Sequence, residues 1–132
     1  MAQPDSQHGR ISGEWSGSYT SDKLPRAERV VLMFQQLTRE EFEASRYARE
    51  GETAPPGETV VGTYKSENGA IGTMAGSIIN NLVTLTATQM TPTCPGSFEM
   101  KGTLTGDLFT WGFKGKDCLG DETGKGEATR IR

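Results

Sequence analysis

A chain of 132 residues with a net charge of −3 and 33% apolar residues is one domain, long enough to bury roughly two thirds of the surface its unfolded form exposes. It has no basic footprint for nucleic acid, and no apolar run approaches the roughly 18 residues of a helical membrane span. Seventeen glycines stand where apolar residues would, so the core must be built from a few large side chains set against glycines.

Residues 1–10 read as a flexible polar tail and residues 11–132 as the folded domain. The start, Met1-Ala2-Gln3-Pro4-Asp5, has no charged-then-apolar leader, although a methionine placed before a processed Ala-Gln terminus would look the same. The chain's one histidine, His8, falls in the tail and is a poor general base or metal ligand there. From Ile11 to Tyr19 every second residue is apolar or glycine and the residues between are polar, the pattern of a strand with one dry face. A second strand, Arg29 to Leu37, contains the unbroken run Val30-Val31-Leu32-Met33-Phe34 and reads as covered on both faces.

Thr38-Arg39-Glu40-Glu41 has the form of a helix capping box with Thr38 as N-cap. A short helix over Phe42 to Glu50 should follow, stopped by Gly51 and returned by Pro55-Pro56-Gly57. The segment 38–58 carries six Glu against three Arg and so accounts for the whole net charge. It is the long connection of the chain, a candidate lid or partner surface as much as a solvated helix.

Beyond it, strands over Thr59 to Ser66, Ala70 to Ile79 and Leu82 to Met90 are joined by Glu67-Asn68-Gly69 and by Asn80-Asn81. A three-residue loop with Gly69 left-handed sets Tyr64 against Gly72, Gly62 against Met74 and Val60 against Gly76. The next turn sets Ile78 against Val83, Gly76 against Leu85 and Met74 against Ala87, so large meets small throughout. A two-residue Gly106-Asp107 turn pairs Leu104 with Phe109, Gly102 with Trp111 and Met100 with Phe113, which leaves Glu99 and Lys101 facing outward. A last strand, Gly126 to Ile131, makes eight. The fold class that follows is all-β: a single eight-stranded antiparallel up-and-down barrel, closed by the last strand on the first, with one short helix between strands two and three.

Cys94 and Cys118 suit a disulfide across the open end of the third hairpin and a secreted or periplasmic location, two separate thiols being the alternative. In the hairpin register they are one residue out of step, which a bulge near Gly115 would correct. Gly120-Asp121-Glu122-Thr123-Gly124-Lys125-Gly126 is one residue short of a phosphate loop and carries acids where phosphates would lie; it reads as a solvated acidic turn rather than a Ca²⁺ site formed with Asp117 and Glu127.

No serine elbow precedes a helix, which excludes a serine hydrolase of that kind, and no Cys/His set suggests a metal. No cofactor is expected. The remaining candidate site is the aromatic set: Trp15, Tyr19, Tyr64, Met74, Phe98, Met100, Trp111 and Phe113 either fill an eight-stranded barrel or line a cavity for one small, largely apolar ligand. A filled barrel would offer its loops, chiefly 38–58, to a protein partner or inhibitor target. An open one could instead shape a reactive substrate for cofactor-free cyclisation or isomerisation.

Gly13-Glu14-Trp15, the eight-strand meander, Gly62-Thr63-Tyr64 and the late Arg130 resemble the calycin group of barrels, to which lipocalins and avidins belong. The resemblance implies that Trp15 lies at the closed end of the barrel with Arg130 packed across it, and that the interior takes a small molecule. The residues with which avidins hold biotin have no one-to-one match here. The ending from Gly115 through Gly124 to Arg130 is also similar to small secreted bacterial β-rich proteins.

Overall fold

The computed structural model describes residues 10–44 and 57–131. Its strands are β1 (Gly13–Ser21), β2 (Glu28–Leu37), β3 (Glu58–Ser66), β4 (Ile71–Ile79), β5 (Leu82–Gln89), β6 (Gly96–Thr105), β7 (Leu108–Asp117) and β8 (Gly120–Arg130). Each pairs antiparallel with its neighbours in sequence, and β8 pairs with β1 to close the barrel. Closure satisfies the backbone groups that an open sheet would leave on two edges.

The turn chemistry fixes the register as expected. Tyr64 faces Gly72 and Gly62 faces Met74; Met74 faces Ala87; Gly102 faces Trp111 and Met100 faces Phe113. Gly69, Gly106 and Asn80 all adopt the positive φ that these short loops require. The large-against-small pairing has a direct steric cause, because the rings lie on the neighbouring strand. A Cβ on Gly72 would sit 2.5 Å from the Tyr64 ring, one on Gly124 2.4 Å from Phe113, and one on Gly126 2.4 Å from Trp111. The glycines are the mould of the aromatic residues.

Four expectations need correction or limits. The Val30–Phe34 run is not covered on both faces: Val30, Leu32 and Phe34 point inward, whereas Met33 points out and is 49% exposed. Among the described residues the outer side is covered at the end of the strand, where Leu37 packs with Phe42 of helix α1 (Arg39–Glu43). The capping box forms, with the Glu41 amide donating to Thr38 Oγ1 (3.1 Å) and the Thr38 amide to Glu41 Oε1 (2.8 Å), and Ala44 is the C-cap. The expected continuation of the helix to Glu50, like His8 and most of the tail, lies outside the described residues. No bulge occurs at Gly115, which pairs regularly with Phe98; Cys94 reaches Cys118 because it has left the ladder in a turn whose amide bond runs to the Thr91 carbonyl. The two cysteines form a disulfide with Cα atoms 4.9 Å apart. Finally, Gly120 to Gly126 is strand rather than turn, since β8 begins at Gly120 and matches β7 along its whole length.

The connections alternate between the two ends of the barrel. One end is sealed: fully buried Ile11 donates its amide to Gln36 Oε1 (2.8 Å), and its carbonyl accepts from Trp15 Nε1 (2.9 Å). The Arg130 guanidinium lies 4.5 Å from the centre of the Trp15 ring. It donates to the carbonyls of Ser12 (2.6 Å) and Arg10 (2.8 Å) and to Asp107 Oδ1 (2.9 Å). Above this plug Trp15, Phe34, Phe109 and Trp111 pack edge-on or stacked and fill the lower half of the barrel.

Candidate functional site

The upper half is not filled. A cavity of about 80 Å³ opens between the strands, lined by apolar side chains except at its outer end. Seven of the eight wall residues expected from sequence line it: Tyr19, Tyr64, Met74, Phe98, Met100, Trp111 and Phe113. Trp15 does not, because the alternation that points it inward also puts it at the sealed end, against Arg130. Val30, Leu32 and Ala87 complete the apolar lining. The opening faces the end where Tyr19, Tyr64 and Phe113 are only partly buried. At roughly 10–15 Å³ per water-sized atom, the space holds about five to eight non-hydrogen atoms.

The polar groups gather at this mouth. Tyr19 shares a hydrogen bond with the Ser66 hydroxyl (3.1 Å) and accepts one from Asn68 Nδ2 (3.2 Å). Tyr64 donates to Gln89 Oε1 (3.4 Å), and Gln89 Nε2 donates to the Cys94 carbonyl (2.7 Å). The tyrosine wall is thus tied to the disulfide loop. Burial pushes both phenols above their ordinary value; the hydrogen bonds from Ser66 and Asn68 work against this at Tyr19, and the negative fields of Asp117 and Glu122 add to it at Tyr64.

Glu122 is the member that sequence reading missed. The pleat of β8 turns it inward beside Gly115, where it lines the cavity and is only 6% exposed. It accepts a hydrogen bond from the Ser21 hydroxyl and lies within the field of the Asp117 carboxylate. Its pKa is raised, first by burial and then by the Asp117 and Asp22 carboxylates, with the Ser21 bond opposing. A carboxyl held this way retains its proton above the ordinary range. The acid that read as part of a solvated turn is therefore the most buried charged group at the site.

Other candidates take definite places. Glu99 and Lys101 point outward and are exposed. Asp117 lies within 4.8 Å of the two cysteine sulfurs, but those are bonded to each other and offer no thiolate to a metal. The described ends of the 38–58 connection both leave from the sealed end, at Leu37 and Glu58, so they form no rim to the tyrosine mouth. A shallow depression of about 430 Å³ lies between them and the Asn80-Asn81 turn. It is open and lined by strand ends and turn residues at the surface, and the smaller, apolar interior cavity is the candidate site instead.

No protein-family model, no curated protein and no solved structure matches this chain.

Proposed function

We propose that this barrel binds a small, largely apolar molecule in its interior, apolar part first, with the polar part left at the tyrosine mouth. The observation that carries the reading is the cavity itself: apolar walls, a sealed floor and a polar opening on one side. Its volume is well below the roughly 300–1,000 Å³ of drug-sized sites, so the ligand is of about five to eight heavy atoms, or one end of a longer chain. The Trp15–Arg130 arrangement at the sealed end supports kinship with calycin-like binders. The Cys94–Cys118 bond suits an oxidising compartment, and on that ground we assign the protein to a secreted or periplasmic location.

The test uses the unequal placement of the two tryptophans. Titrating 1-bromobutane, whose heavy atom quenches indole emission, should give saturable quenching in Trp15→Phe, where Trp111 alone reports. In Trp111→Phe the remaining Trp15 should respond weakly and without saturation. Equal, non-saturating quenching in both variants would remove the interior site.

A second reading draws on Glu122 and Tyr64 standing inward beside the void: proton transfer to or from a bound apolar substrate, without a cofactor. A small ketone such as 2-pentanone should then exchange its α-hydrogens with deuterated water faster in the presence of the protein than with Glu122→Gln. Equal rates would leave binding as the function.

A further inference from the structure

We infer that the ligand class is a small primary amine, bound as its ammonium ion at Glu122 with its hydrocarbon chain in the cavity. This rests on the interior-binding reading above and narrows it. The sign of the mouth decides the class. The charged groups whose fields reach Glu122, Tyr19 and Tyr64 are Asp22 from the loop after β1, Glu28 at the start of β2, Asp117 at the end of β7 and Glu122 itself. Among the described residues no lysine or arginine contributes to any of the three. An anionic head group would meet the buried Glu122 carboxyl with no cation beside it, only neutral donors such as the Gln89 amide and the Tyr64 hydroxyl. An ammonium group would meet a buried carboxylate and supply the positive charge that the protein does not.

Two further observations point the same way. The upper walls are aromatic, with Phe113 edge-on to both Tyr19 and Phe98, so a cation seated at the mouth finds ring faces as well as a carboxylate. Glu122 also stands at the boundary between the apolar lining and the mouth, which places a bound nitrogen there and leaves the chain attached to it pointing at Met74 and Met100. A chain of four to six carbons matches the roughly five to eight atoms that the space holds.

The recognition step includes a proton. Glu122 keeps its proton in the free protein to a higher pH than an exposed glutamate does, and must give it up to pair with the ammonium. Amine affinity should therefore rise with pH as Glu122 ionises, and fall again only as the amine itself loses its proton near pH 10. The carboxylates that act on Glu122 and the tyrosines from the other elements are Asp22, Glu28 and Asp117, and each favours a cation over an anion at the mouth.

The experiment is calorimetric titration of the intact, oxidised protein with n-pentylamine, 1-pentanol and pentanoate over a series of pH values from 5 to 8. At the upper end the amine should bind at least 10-fold more tightly than the alcohol and pentanoate not measurably, and the amine's advantage over the alcohol should shrink as pH falls. In Glu122→Gln the amine should lose about 10-fold or more while the alcohol, which also reports that the cavity is intact, is unchanged. If the alcohol matches the amine, or Glu122→Gln treats both alike, the amine assignment is overturned and the interior site stands. If none of the three binds and 1-bromobutane does not saturate, both readings fall together.

Discussion

Met74→Ala tests whether the cavity is where the hydrocarbon part of a ligand sits. Met74 projects from the middle of β4, is almost fully buried and forms part of the cavity lining. Truncation removes three heavy atoms from the wall, a transfer loss of about 2 kcal/mol at ~0.8 kcal/mol per methylene-sized group. The space they leave adds about 1–2 kcal/mol if the wall does not collapse. Collapse is resisted here, because Met74 faces Gly62 on one side and Ala87 on the other, and neither has a side chain long enough to swing in. Urea unfolding followed by tryptophan emission should thus show a loss of about 3–4 kcal/mol. The same vacancy merges with the existing void, so the preferred chain length in a series of n-alkylamines should grow by about two to three carbons. A loss of stability with no change in chain-length preference would mean that the chain does not occupy this cavity.

Glu122→Gln should alter the pH dependence of stability in a defined direction. A carboxyl whose folded pKa lies above its unfolded value near 4.5 stabilises fully below that value and loses this contribution as pH rises through the folded pKa. The wild type should therefore become less stable from about pH 4.5 upward relative to Glu122→Gln in urea melts, and parallel curves would show that Glu122 is not perturbed. Replacing both cysteines by serine should cost about 3.5 kcal/mol, from the loop-closure entropy of their 24-residue separation. Through the bond from Gln89 to the Cys94 carbonyl it should also weaken ligand binding, whereas unchanged affinity would uncouple the disulfide from the tyrosine wall. Arg130→Met removes the guanidinium that stands over Trp15 and leaves the Ser12 and Arg10 carbonyls without their donors, at about 1–3 kcal/mol each. Unfolding should register about 3 kcal/mol and ligand affinity no change, since this plug lies at the opposite end from the mouth.

The barrel was legible in the sequence because two independent signals agree in it. Turn chemistry at Glu67-Asn68-Gly69, Asn80-Asn81 and Gly106-Asp107 fixes three registers, and each sets a large side chain against a glycine: Tyr64 against Gly72, Leu85 against Gly76 and Trp111 against Gly102. Had any turn been misread by one residue, Tyr64 would have faced Ile71 or Thr73 and the complementarity would have vanished. Most of the cavity wall followed from the same alternation. What alternation does not carry is height along the barrel, so it groups Trp15 with Trp111 although one lies against the plug and the other beside the void.

The first half of β8, read as a turn, and the inward Glu122 within it were lost for one cause. The inward positions of that strand are Glu122, Gly124, Gly126, Ala128 and Arg130, and Ala128 alone is apolar with a side chain, so no hydrophobic period marks the strand. The space a hydrophobic residue would occupy is taken by Phe113 and Trp111 from the neighbouring strand, whose rings lie on Gly124 and Gly126. The usable signal was length: β7 is an aromatic strand reaching to Asp117, and its partner must be as long. Extending β8 to match assigns Glu122 to the interior two steps beyond Gly124, where no aromatic ring covers its place in the wall. The rings of Trp111 and Phe113 that lie on Gly126 and Gly124 reach up the wall of the cavity, and the buried carboxyl takes the next inward position of β8 beyond them.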